Sequence, residues 1–248
     1  MSRNFYLAND IELLNNSYTP DDNVKIFRYM DFSKYVDLLE RKKLCFCNAK
    51  KFEDKFEGEM PEAFYHNWSE EHKNGHKSIS EELEKYFSCF ISCWNMGEGE
   101  NYALWKIYTK PETGVCIKTS VGRLRKALNN EDIKIYVVKY IPSFNDSSFD
   151  IEFPHYMRMQ DGFSIIHSVK EVCKLDAYKY ENEVRAVFVE KSREKSIIQF
   201  SVNLEELIDE VYLSPYASTW FKELVKRVTL RKRELKKSVN FIESRIRL

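Results

Sequence analysis

Apolar and polar positions in this chain alternate in short blocks, and two periods take turns along it. Residues 24–29, VKIFRY, alternate in strand fashion and place Val24, Ile26 and Arg28 on one face. A helix follows, with Ser33 as its N-cap and Tyr35, Leu38 and Leu39 at helical spacing. Residues 44–48 read as a short strand, and 51–58 as a structured loop anchored by Phe52 and Phe56. The stretch 61–86 is amphipathic and helical, and its polar segment HKNGHKS (72–78) predicts a break into two helices. Residues 88–94, SCFISCW, are β-formers and small residues and predict a strand.

The second half continues the mixture. A short helix over 101–108 carries Leu104, Trp105 and Tyr108 on one face, then come a strand at 114–119 and a helix at 121–128. One long strand is predicted over 133–141, a mobile loop over 142–161 and a helix over 162–173. Strands follow at 183–190 and 197–202, then 205–212 leading into a further strand, a helix at 218–227 and a closing strand at 239–247. The elements lack a regular βαβ rhythm. The expectation is an α+β fold, a mixed and mostly antiparallel sheet flanked by helices, in one domain over 1–248.

Composition narrows the classes. Seven Gly and six Pro argue against a linker-rich or repeat-built chain, and no apolar run approaches the roughly 20 residues a membrane span needs. The N-terminus is polar and acidic rather than basic then apolar, so the six cysteines are read as reduced thiols in a cytoplasmic protein with no membrane partner. The net charge is zero, yet the ten Lys and Arg against three Glu in 222–248 concentrate positive charge at the C-terminal end. That segment is either a solvated helix face or a phosphate-tracking patch.

Metal, triad and dinucleotide-loop chemistry find little support. Cys45-x-Cys47 and Cys89-x3-Cys93 lack the usual zinc spacing, and each pair shares one face of a strand as small buried residues do. No G-x-S-x-G, P-loop or G-x-G-x-x-G occurs. The carboxylates say more. In extended backbone Glu181, Glu183 and Arg185 would stand in one row at a strand entrance, either a solvated edge with a salt bridge or a site.

Several segments in order resemble a bacterial family of unknown function. They are Phe27-Arg28-Tyr29, the Phe-x-Asp-x-Phe-Glu loop at 52–57, Ser-Cys-Phe-x-Ser at 88–92, Leu-Trp-x-x-Tyr at 104–108, Gly-Val-Cys-Ile at 114–117, Tyr-Glu-x-Glu-x-Arg at 180–185 and Ser214-Pro215. Their order is in turn similar to the ADP-ribosyltransferase superfamily. That resemblance implies an ADP-ribosyltransferase-like fold and an enzyme that takes NAD as co-substrate. In it Glu183 is catalytic, with Glu181 on the acceptor side. Arg28 and Tyr29 at the first strand bind the dinucleotide, and Ser88, Ser92, Trp105 and Tyr108 shape the nicotinamide pocket. It further implies a toxin or antiphage effector, a protein or nucleic-acid acceptor, and an antitoxin or chaperone as partner. The alternative from the residues alone is a non-catalytic module that docks nucleic acid or protein through Lys226, Arg227 and Arg231.

Overall fold

The computed structural model describes residues 17–160, 163–191 and 195–247, without the side chains of 155–168. The N-terminal segment read for export signals and the predicted helix start at Gly162 lie outside the described residues. In chain order the elements are β1 (Lys25–Asp31), α1 (Phe32–Arg41), β2 (Lys43–Asn48), α2 (Glu70–Glu84), β3 (Phe87–Met96), α3 (Tyr102–Tyr108), β4 (Gly114–Ser120) and α4 (Val121–Leu128). They continue with β5 (Lys134–Val137), β6 (Lys139–Ile141), β7 (His155–Gln160), β8 (Phe163–Ser168), β9 (Cys173–Leu175), β10 (Glu183–Lys191), β11 (Ile197–Ser201), α5 (Leu204–Leu207), β12 (Glu210–Leu213), α6 (Thr219–Leu230) and β13 (Asn240–Glu243).

The fold is α+β, built on a nine-stranded sheet that is antiparallel except for the parallel pair β12–β13. Strand β3 is its hub. Along one side it pairs with β10 over nine residues, from Glu183↔Asn95 to Lys191↔Phe87. Along its other side it meets two different strands: β2 at Phe90 and Ile91, and β1 at Asn95 and Met96. Between them residues 92–94 have β10 on one side and, among the described residues, no strand on the other, so β1 and β2 part there like the arms of a V.

Alternation assigns the faces. Ile26, Met30, Phe90, Trp94, Val184, Ala186 and Phe188 face the larger core, where α1, α4, α5 and α6 supply Leu38, Leu39, Leu124, Leu204, Leu207 and Val225. Cys89, Ile91, Val187 and Val189 face the smaller one, closed by Tyr18, Ala63, Phe144, Phe153 and Val172. The third, under α3, is Phe27, Trp105 and Cys116 with Tyr29 against them.

Four local readings are corrected. The segment 72–78 does not break a helix. Ser69 caps α2 by accepting from His72 N at 3.3 Å, Glu70 and Glu71 occupy its first turn, and the helix runs unbroken through the polar stretch. No residue of α2 is buried, so no packing demand interrupts it. The expected loop of 142–161 is irregular over 142–154, but 155–160 and 163–168 form the antiparallel pair β7–β8, and a short 3-10 turn at Lys170–Val172 and β9 take the place of the helix expected over 162–173. The long strand of 133–141 divides at Val138, because β5 joins β10 while β6 joins β9 in a separate parallel pair. Helix α1 starts two residues earlier than predicted: Asp31, not Ser33, precedes it.

The fold places one polar tie inside the larger core. The Tyr35 hydroxyl donates to Thr229 Oγ1 at 2.8 Å, whose own hydrogen goes to the Val225 carbonyl, so α1 is bound to α6. Tyr35→Phe is expected to lower unfolding free energy by about 1 kcal/mol, read as a drop in urea midpoint at unchanged slope.

Candidate active site

The two predicted carboxylates do come together, by a route the row-of-charges picture did not contain. Residues Asp176–Glu181 form a 3-10 turn, and Asn182 sits in the left-handed region at φ 40°, which an Asn tolerates better than most residues. Only at Glu183 does β10 begin. Asn182 is clamped to the end of β3: its Nδ2 donates to the Met96 carbonyl at 2.7 Å, and its own carbonyl accepts from Met96 N at 2.7 Å. Asn95 Nδ2 donates to the Glu181 carbonyl at 2.6 Å, and Glu183 N donates to the Tyr140 hydroxyl at 2.9 Å.

Glu181 is 4% and Glu183 6% exposed, so they are not a solvated edge. Lys174, from β9, joins them, with Nζ 2.5 Å from Glu181 Oε2 and 3.9 Å from Glu183 Oε2 while stacked 4.5 Å over the Tyr178 ring. Tyr108 donates its hydroxyl to Glu181 Oε1. Arg185 is completely buried, and its Nε and Nη2 reach Glu183 Oε2 at 2.8 and 2.6 Å. Its Nη1 donates to Glu57 and to the Glu171 carbonyl, and Nη2 to Glu57 Oε2 at 3.0 Å.

This cluster sets charge states. Burial alone would push the Glu183 carboxyl up, but the Arg185 and Lys174 charges outweigh it and hold the group below the usual Glu range. Glu57 goes the other way, its burial outweighing Arg185. Lys174 resists burial because Glu183 and Glu181 hold its proton, and its pKa rises. The Tyr108 hydroxyl is raised by burial and by its bond to Glu181, so it serves as a donor. Both cations use the same oxygen of Glu183, and the Cys93 thiol hydrogen-bonds the carboxylate as well.

Arg28 occupies the notch of the V. It lies 5.5 Å over the Trp94 ring, donates to Ser92 Oγ, and reaches the Cys45 carbonyl at 3.4 Å. It does not pair with Asp31 or Asp54, and no carboxylate among the described residues lies within ion-pair distance of it. Burial lowers its pKa, opposed by the neighbouring thiols of Cys93, Cys45 and Cys47. Alternation places Arg28 and Ser92 on the face of the larger core and Glu183, Arg185 and Cys93 on the opposite one. Cys93 feels both the Glu183 and the Arg28 charge.

The other predicted residues divide. Tyr29 accepts from Asn101 N at 2.6 Å and packs edge-on against Trp105. Trp105 is fully buried, with its Nε1 bonded to Glu100 at 2.9 Å, so in this conformation its ring is core. Tyr108 is 45% exposed at the rim. Ser88 stands at the far end of β3, seven residues and about 23 Å from Asn95, and lines a different cavity. Lys174, which holds both carboxylates, was not singled out in the sequence: it lies in a three-residue strand with no periodicity to flag it.

Residues 104–186 match the family model described as "Protein of unknown function (DUF2971)". The match runs from the Leu-Trp-x-x-Tyr helix through the Tyr-Glu-x-Glu-x-Arg entrance of β10, which agrees with the resemblance drawn from those motifs. No curated protein matches the chain. Among solved structures, Thermus sp. 2.9 DarT in complex with carba-NAD+ is similar at 11% identity and TM-score 0.40, over 90% of this chain and 97% of that one. The same protein in complex with NAD+ is similar at 11% identity and TM-score 0.35, with the same coverage. No helix among the described residues is long and apolar enough to cross a membrane.

Arg185→Met would leave Glu57 and Glu183 buried without their shared cation and is expected to cost about 3–5 kcal/mol in denaturant unfolding. Because Glu183 titrates lower folded than unfolded, its contribution is fully present above the ordinary value near 4.3 and is lost as pH falls through the folded one. Glu57 works in the opposite sense. The fall in stability with acid below about pH 4.3 should therefore be shallower in Glu183→Gln than in the native chain; equal slopes would mean that Glu183 is not held ionised.

Proposed function

We propose that this chain is an NAD-dependent ADP-ribosyltransferase-like enzyme that transfers ADP-ribose to a protein or nucleic-acid acceptor. The observation that carries the proposal is the buried cluster in which Arg185 and Lys174 hold the Glu183 carboxylate beside Glu181 and Tyr108, with Arg28 on β1 left without a carboxylate in ion-pair reach among the described residues. Cleaving the nicotinamide glycosidic bond builds positive charge on the ribose, and a fixed carboxylate in a water-poor site stabilises it. Glu183 fits that role because Arg185 and Lys174 keep it ionised despite its burial. Arg28 fits a pyrophosphate, since guanidinium donors match phosphate oxygens and no carboxylate among the described residues competes for them.

Glu181 fits the acceptor side. Tyr108 at the rim and Lys174 below orient it, and it can take the proton the acceptor nucleophile gives up as that nucleophile bonds to C1′ and nicotinamide leaves with the electrons of the broken C–N bond. Purified protein is expected to bind and consume NAD. Glu183→Gln should lower kcat by about 10²–10³-fold. Arg28→Ala should mainly raise KM for NAD, by about tenfold or more. Tyr108→Phe, at a half-exposed site that leaves the core alone, should lower the transfer rate. A native chain that neither binds nor consumes NAD would end this reading, as would a folded Glu183→Gln variant of full activity.

A second reading has its own support. On α6, Trp220 is 68% exposed and shares a helix face with Arg227 and Arg231, both exposed and without a carboxylate in ion-pair reach among the described residues. Lys226, expected beside them, is instead tied to Glu223 and Glu243. A docking surface for nucleic acid there would bind in a salt-dependent way and lose affinity in Arg227→Ala/Arg231→Ala while keeping it in Glu183→Gln. Binding that ignores salt and both arginines would reject it.

A further inference from the structure

Helix α3 carries Tyr108 to the Glu181 carboxylate, yet it is only seven residues long and cannot hold its own place. What its ends touch must set its position. Glu100, just ahead of it, accepts from Trp105 Nε1 at 2.9 Å, from Ser244 Oγ at 2.8 Å and from Arg245 N at 2.7 Å, which moors that end to the chain after β13. Trp105 is the buried side of the helix, and Tyr108 at its last position is half-exposed, so packing alone does little to fix the Tyr108 ring.

Asn101 completes the mooring. Its Oδ1 accepts from Ala103 N at 2.9 Å and caps the helix, and its own N donates to the Tyr29 hydroxyl at 2.6 Å. Its Nδ2 donates to the carbonyl of Tyr180, the residue directly before Glu181, at 3.3 Å. Long side chains on a helix lean back towards its N-terminus, so the Tyr108 hydroxyl returns towards the end that Asn101 holds. The turn ending at Glu181 is thus joined to α3 twice, at Tyr180 by Asn101 and at Glu181 by Tyr108. Asn95 and Asn182 already tie that turn to β3, so the bond from Asn101 locates the helix rather than the turn.

We propose that Asn101 is a positioning residue for the acceptor-side carboxylate: by joining the start of α3 to the Tyr180 carbonyl, it keeps the Tyr108 hydroxyl on Glu181. The role rests on the transferase reading, in which Glu181 takes the proton of the attacking nucleophile. Asn101 hydrogen-bonds neither Glu183 nor Arg28, so weakening its tie slows the reaction and leaves NAD binding alone.

NAD consumption with water as the acceptor, followed as nicotinamide release, tests the role. Asn101→Ser keeps an oxygen that caps the helix but is too short to reach Tyr180 as well, and should lower kcat by about 3–10-fold at unchanged KM for NAD. In a Tyr108→Phe background the same substitution should cause no further loss, because it acts through the hydroxyl already removed. A native chain that consumes no NAD ends the transferase reading and this role with it. A native chain that consumes NAD overturns the role alone if Asn101→Ser keeps the native kcat, changes only KM, or causes its full loss again in Tyr108→Phe.

Discussion

Arg185 stands completely buried in the middle of β10, and a guanidinium cannot escape burial by giving up its proton. Every element around it must therefore supply acceptors. Glu183 comes from its own strand, Glu57 from the loop after β2, and a backbone carbonyl from Glu171 ahead of β9. Three stretches of chain far apart in sequence are held in register by one cation. The position of the Phe52–Glu59 loop, the approach of β9 with Lys174, and the ionised state of Glu183 all follow from meeting that demand.

The second constraint is the divided neighbour of β3. A strand that pairs with β10 along one side and with two separate strands along the other must leave an interval unpaired. Here that interval is 92–94, and Arg28 fills it with side-chain donors, one of them on Ser92 and another on the Cys45 carbonyl. A cation in such a notch keeps donors to spare, because a hydroxyl and a carbonyl do not neutralise it. Alternation sends Arg28 and Glu183 to opposite faces of the sheet, and Cys93 of β3 carries the influence of both charges.

The α+β character, the strand 88–94, the strand starting at 183 and the aromatic-bearing helix at 102–108 were legible from hydrophobic period alone, since period 2 and period 3.6 report local burial directly. Of the residues that the motifs at 27–29, 88–92, 104–108 and 180–185 singled out, Glu181, Glu183 and Tyr108 come together in the structure, whereas Ser88 lines a remote cavity and Trp105 is core. Local patterns failed where the outcome was decided elsewhere. Polar residues at 72–78 looked like a break but sit in an exposed helix, and 163–173 looked helical until its partner strand was in view.

The sequence by itself determined that two glutamates and an arginine cluster at the mouth of a strand; chemistry and spacing suffice for that. Only the tertiary structure decided that they are buried rather than solvated, that Lys174 rather than strand alternation joins Glu181 to Glu183, and that Trp105 turns inwards while Tyr108 faces the rim. The reason is physical. Whether a carboxylate is a surface charge or a poised one depends on the dielectric and the cations around it; Arg185 lies within the motif, but Lys174 comes from β9 and the burial from packing across the fold, and no period within 180–185 encodes either.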